Sequence, residues 1–134
     1  MNPYKLTKRL LIFIGIVLFI YALTFLVRPQ TLGEIIGFTE TSPNALVEVM
    51  AFYGGLELGL SLFFFWSSLK SERYQIALTV FIIVFLCAGV SRLLGIILYG
   101  FEDPSQPIVT AVELAFPAFA WWIRQKLSTQ SISN

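Results

Sequence analysis

The chain has 134 residues, 57% of them hydrophobic and 13% charged, with nine basic and eight acidic side chains and a formal net charge of +1. Such a composition is too apolar for an ordinary water-soluble domain, and it carries no basic stripe able to neutralise many phosphates, so nucleic acid is excluded as a partner. The absence of histidine and the single cysteine remove the usual zinc, haem and copper ligand sets and any Ser-His or Cys-His nucleophile; no metal and no cofactor is expected.

The apolar residues fall into four runs, 10–27, 45–66, 76–99 and 108–123. A helix needs roughly 20 apolar residues to cross the hydrocarbon of a bilayer. The expected fold is therefore all-α: a four-helix transmembrane bundle with up-down-up-down topology, forming one integral membrane domain over residues 1–134. In the first run, Lys5, Lys8 and Arg9 precede the apolar stretch as in a secretory signal, but the run ends at Leu26-Val27-Arg28-Pro29 without a small-residue cleavage pattern. It reads as a retained first helix.

The following connection, 28–44, contains Leu32, Ile35, Ile36 and Phe38 beside Glu34, a pattern that suits either a short helix in the headgroup region or an irregular loop with a few buried apolar residues. The loop between the second and third helices, Ser67 to Tyr74, is short enough to force an antiparallel pair. Cys87, in the middle of the third run, reads as a small buried apolar residue. Pro104 and Pro107 end the third helix and suit the start of the fourth, and the Ser-, Thr-, Gln- and Asn-rich tail from Leu127 is expected to fray.

Basic residues near helix ends favour the cytoplasmic side. Lys5, Lys8, Arg9, Lys70, Arg73, Arg124 and Lys126 gather on one side of this topology, and Glu34, Glu40, Glu102 and Asp103 on the other. Both termini are thus expected to be cytoplasmic. Trp66, Tyr74, Trp121 and Trp122 fall at the same inner interface, where amphipathic rings are favoured.

Ionisable groups inside hydrocarbon are expensive, about 3 kcal/mol or more each on insertion scales, and need partners or a function. Glu57, Arg92 and Glu113 fall within the second, third and fourth runs. At 1.5 Å per residue Arg92 lies ~10 Å and Glu113 ~8 Å from the outer helix ends, with Glu57 deeper at ~16 Å. Arg92 is expected to donate to one or both carboxylates in a single polar layer. Ala88, Gly95 and Tyr99 share a helical face with Arg92; Tyr53, Gly54 and Ser61 surround Glu57; Thr110, Pro117 and Ala120 share a face with Glu113. Gly54, Gly55, Gly59 and Gly95 are expected helix-packing positions, with Gly55 and Gly59 at GxxxG spacing that permits close approach within the bundle or in a second protomer. The cluster reads either as ion pairs that hold four helices in register or as a functional site. On the second reading, one arginine opposite two acids leaves excess negative charge, which points to a carried proton or a cationic headgroup, while an arginine not fully occupied by its acids would receive an anionic or oxygen-rich lipid group.

The run Tyr53-Gly54-Gly55-Leu56-Glu57-Leu58-Gly59-Leu60, then Arg92-Leu93-Leu94-Gly95, Gly100 and Glu113 resemble the family of domain of unknown function 4345 (DUF4345), small membrane proteins with four helices. Ser91 and Tyr99 stand where that family would have glycine and an acid. The resemblance implies a fold and a recurring polar layer and supplies no reaction; a more distant similarity to DoxX-like four-helix membrane proteins points toward redox-associated partners. The leading expectation is a non-enzymatic accessory or scaffold protein of a bacterial plasma (inner) membrane, with a membrane-protein partner or homo-oligomer beside the lipid bilayer. The alternative is a lipid or small-ligand binder, or a proton-coupled carrier, using Glu57, Arg92, Glu113 and Tyr53. Acid-base catalysis by two carboxylates stands third.

Overall fold

Long apolar stretches leave a backbone no water to bond to, and a helix is the local structure that satisfies every amide and carbonyl within one segment. A computed structural model of the chain, which describes residues 2–37 and 42–132, is accordingly all-α, with no strand among the described residues. Its elements are α1 (Pro3–Val27), the short α2 (Thr31–Ile36), α3 (Pro43–Val49), a π-helical segment (Met50–Leu56), α4 (Glu57–Ser68), a 3-10 turn (Ser71–Arg73), α5 (Tyr74–Tyr99) and α6 (Ser105–Ile132). Phe38 and Glu40 of the first outer connection lie outside the described residues.

Three stretches are long and apolar enough to cross a membrane: Pro3–Val27, Pro43–Ser68 and Ser71–Tyr99. The fourth expected span, 108–123, lies within α6 but is not among them. The run has 16 residues, Glu113, Pro117 and two tryptophans dilute its apolar character, and Pro107 and Arg124 flank it. Large apolar side chains lie exposed along α1 and α5, among them Phe13, Ile16, Ile20, Ile83 and Ile97, a load that marks a lipid or protein interface. Cys87, expected to be buried, is exposed as well; it lies on this outward part of α5.

The chain divides into two compact units, Lys8–Ser71 and a second comprising Met1–Thr7 with Glu72–Asn134. In the first, α1 runs antiparallel to the α3–π–α4 helix. Gly15 lies against the Phe65 ring, Ser61 Oγ donates to the Gly15 carbonyl at 2.8 Å, and Gly54 lies against Leu26 at the other end. Phe25 packs edge-on to Tyr53 and forms a small buried cluster with Leu32 of α2 and Val49. The connection between α1 and α3 therefore contains a short helix anchored by Leu32; it ends at Gly37, whose φ of 80° suits a residue without Cβ, and Arg28 pairs with Glu34 across it at 2.9 Å. Ser42 caps α3 by accepting from the Ala45 amide, with Pro43 at the first helical position.

The π-helical segment was not legible from apolar spacing. At its end the Glu57 amide bonds the Gly54 carbonyl three residues back, a tighter 3-10-type bond that marks the change from π to α winding. Of the four glycines expected to pack helices, only Gly54 does so closely: a Cβ there would meet Leu26 Cδ2 at 2.6 Å. A Cβ on Gly55 would meet only Met50 O of its own helix at 3.7 Å, and among the described residues nothing lies within 4 Å of one on Gly59 or Gly95. The close approaches fall instead at Gly54, Gly15 and Gly89.

In the second unit, α5 and α6 form an antiparallel hairpin. Gly100 ends α5 with a φ of 77°, and the Asp103 carboxylate accepts from the hydroxyl and amide of Ser105 at the start of α6. Those two bonds, the hydroxyl's first, hold the Asp103 carboxyl below its ordinary range; what they contribute is present above that range and is lost as pH falls through it. The tail expected to fray continues α6 to Ile132. Leu127 is buried, Ser128 and Thr129 turn their hydroxyls back onto the Arg124 and Gln125 carbonyls, and Gln75 of α5 bonds Ser128. These contacts satisfy polar side chains that composition alone assigns to solvent.

Replacing Gly54 by Val should lower the thermal stability of the detergent-solubilised protein by about 1–3 kcal/mol, since the added atoms fall on Leu26. Gly59→Ala should leave it unchanged or slightly raised, because open space receives the methyl and the unfolded chain loses freedom. Circular dichroism melts of the two variants provide the measurement.

Candidate functional site

The α5–α6 hairpin positions the most conspicuous polar group in the chain. On α6, Gln106, Thr110, Glu113, Pro117 and Ala120 follow helical spacing; Thr110 and Ala120 are buried, and the Glu113 side chain is only 14% exposed. Helix α6 continues through Pro117, whose ring nitrogen cannot donate to the Glu113 carbonyl one turn earlier. On α5 the facing residue is Gly89, where a Cβ would meet Leu114 Cδ2 at 2.9 Å and Glu113 Cβ at 3.1 Å. That missing side chain lets the two backbones approach one turn below Arg92.

Arg92 closes the gap with a two-pronged clasp. Its Nε donates to Glu113 Oε2 and its Nη2 to Glu113 Oε1, both at 2.8 Å, the parallel geometry in which a guanidinium and a carboxylate bind most strongly. Its Nη1 donates to Gln106 Oε1 at 3.0 Å. Gln106 precedes Glu113 by seven residues, two helical turns, so both acceptors lie on one face of α6. The arginine side chain is 34% exposed, so the pair is part-buried. The geometry is that of a positioned ion pair: the carboxylate has both oxygens engaged, and three guanidinium nitrogens are directed onto one neighbouring helix.

Arg92 and Glu113, two of the residues expected in the polar layer, are thus brought together. The inward stripe on α5 differs from the expected one: Gly89, rather than Ala88, is buried beside Arg92, and Tyr99 is 88% exposed. Arginine belongs to both possible stripes, and its long side chain reaches its partner from either. Gln106 and Gly89 were missed. The seven-residue spacing from Glu113 signals the first; nothing in an apolar run singles out the second.

Glu57 belongs to the other compact unit. It stands where the π-helical segment returns to α4, and its Oε2 is buried without a hydrogen-bond partner. Ser61, one turn further along the same face, uses its hydroxyl on the Gly15 carbonyl. Tyr53, expected near the acids, packs its ring edge-on against Phe25 with centroids 5.8 Å apart. Among the described residues no group of three or more Cys, Asp or Glu side chains is arranged to hold a metal ion.

A second latch closes the opposite end of the hairpin. Arg124 Nε donates to Thr79 Oγ1 at 3.0 Å, and Gln75 Nε2 donates to Ser128 Oγ at 3.0 Å and to the Arg124 carbonyl at 3.4 Å. Leu78 and Phe81 of α5 and Ile123 of α6 are fully or nearly fully buried.

Arg92→Leu alone should destabilise the protein by about 3 kcal/mol, because it leaves a part-buried carboxylate without its cation. Arg92→Leu with Glu113→Leu should recover most of that loss, and Gln106→Leu should cost only about 1 kcal/mol. Thermal melts of the three variants in one detergent test the ordering.

No curated protein and no solved structure matches the chain. A family model described as domain of unknown function (DUF4345) matches residues 6–124, from Leu6 within α1 to Arg124 within α6. The chain belongs to the DUF4345 family.

Proposed function

We propose that the protein is a non-enzymatic accessory or scaffold of a bacterial inner membrane, built as a four-helix transmembrane bundle with up-down-up-down topology and cytoplasmic termini, and that its intramembrane ion pair holds helices in register. The observation that carries this reading is the engagement of Arg92: three of its nitrogens donate to Glu113 and Gln106 of the adjacent helix. Groups satisfied this fully by their own hairpin suit register-setting better than turnover. The exposed apolar side chains of α1 and α5 supply surface for lipid and for a lateral partner, either another membrane protein or a second copy of the chain.

A second reading, a lipid or small-ligand binder or proton-coupled carrier, is favoured by one observation: Oε2 of Glu57 is a buried acceptor without a donor. An acceptor-only group in apolar surroundings calls for a proton or a cationic group.

Crosslinking in intact membranes followed by mild detergent extraction separates the two. A scaffold should give a constant partner or a defined oligomer, and the combined Arg92→Leu, Glu57→Gln and Glu113→Gln variant should retain it together with its helicity. A monomer throughout would contradict the scaffold reading. Loss of the association in a variant that keeps its helicity would favour the second.

A further inference from the structure

The α5–α6 hairpin is electrically lopsided. One end carries Glu102 and Asp103. At the other, the ring of Tyr4 packs 6.4 Å from that of Tyr74 and the Gln75–Ser128 bond joins the helices, which brings Lys5, Arg73, Arg124 and Lys126 to one end of a single compact unit with Glu72 as the acid among them.

Two of these cations are held over indole rings. Lys126 Nζ lies 3.9 Å from the centroid of the Trp122 ring, and the Arg124 guanidinium lies 5.7 Å from that of Trp121. The spacings, four and three residues along α6, set each basic residue's backbone about one turn beyond that of its tryptophan, and the side chain leans back to bring its charge over the ring. The bond from Arg124 Nε to Thr79 fixes the plane of the guanidinium. The rings remain 52% and 42% exposed, although tryptophans this large are ordinarily well buried in a packed core. Indoles half outside the fold with cations seated on their faces put apolar ring and positive charge at one level, the combination that suits the boundary between acyl chains and headgroups.

We propose that this end of the hairpin is a seat for anionic phospholipid, with Arg124 and Lys126 receiving the headgroup phosphate and Trp121 and Trp122 lying at the same boundary. The proposal rests on the membrane reading above and adds a ligand class at a place remote from the Arg92 clasp. Charge complementarity selects the occupant: a zwitterionic headgroup brings its own cation into a patch that already holds four, whereas an anionic one does not. Each basic group near an anionic surface strengthens binding by about fivefold, and the effect is screened over roughly 10 Å at 0.1 M salt.

The two rings themselves report the contact. In a Trp66→Phe chain reconstituted in bilayers, the remaining tryptophans are Trp121 and Trp122, and acyl-brominated lipids quench those they touch. Brominated phosphatidylglycerol should quench at a mole fraction lower than brominated phosphatidylcholine by up to about 25-fold at low salt, about fivefold for each of the two basic groups. The preference should fall toward unity in the Arg124→Gln, Lys126→Gln variant and at 1 M salt. Lys126→Gln alone, which leaves the Thr79 bond intact, should show a partial loss, and Lys126→Arg should restore it. Equal quenching by the two lipids, or a preference untouched by these substitutions, would overturn the lipid seat and leave the membrane reading standing. Absence of quenching by either lipid would overturn both.

Discussion

The arrangement of the α5–α6 hairpin turns on one constraint: a guanidinium and a carboxylate partly withdrawn from water favour spending their hydrogen-bonding capacity on each other or on fixed polar neighbours. Arg92 and Glu113 meet it with two parallel bonds and a third to Gln106. The constraint propagates outward. The pair can close only where the helices approach, which Gly89 permits opposite Glu113 and Leu114, and the same register brings Thr79 to Arg124 about three turns away and Gln75 to Ser128 more than four turns away. The charged pair, the glycine contact and the Arg124 latch are thus all consistent with one register of the two helices.

The α1 and α3–π–α4 pair solves a related problem without charge. Its interhelical polar contact is a neutral hydroxyl on a backbone carbonyl, Ser61 to Gly15, and small residues at both ends of the contact line allow Phe65 and Leu26 to fit against bare backbone. Close packing around small residues is the main source of helix association where the solvent is itself apolar. The segment from Met50 to Leu56 departs from α geometry in the region of Gly54 and Gly55, where the absence of side chains lowers the steric cost of a wider turn.

The sequence made the helical class, three of the long apolar spans and the Arg92–Glu113 partnership legible, because each follows from hydropathy and from the cost of an unpaired charge. It did not make the packing surface legible. GxxxG spacing pointed to Gly55 and Gly59, while the close contacts fall at Gly15, Gly54 and Gly89; inside a run that is apolar on every side, periodicity cannot tell an inward glycine from an outward one. The same blindness placed Cys87 inside and hid the π-helical segment, whose extra residue per turn leaves no mark in an unbroken apolar stretch. Tail residues from Leu127 onward were misjudged for a different reason. Their polarity suggested solvent, but Ser128 is a partner of Gln75. Glu57 stood out as costly, and its buried Oε2 without a donor keeps it so.

The most direct measurement is solid-state NMR dipolar recoupling between 15N-arginine and 13C-glutamate in bilayers. It is best made in a Glu34→Gln chain, because the exposed Arg28–Glu34 pair has a similar 2.9 Å contact. The clasp predicts strong guanidinium-to-carboxyl dephasing, in keeping with N–O contacts of 2.8 Å, and its disappearance in Glu113→Gln. A guanidinium that shows no such coupling in the Glu34→Gln chain would contradict the pairing from which the hairpin register follows.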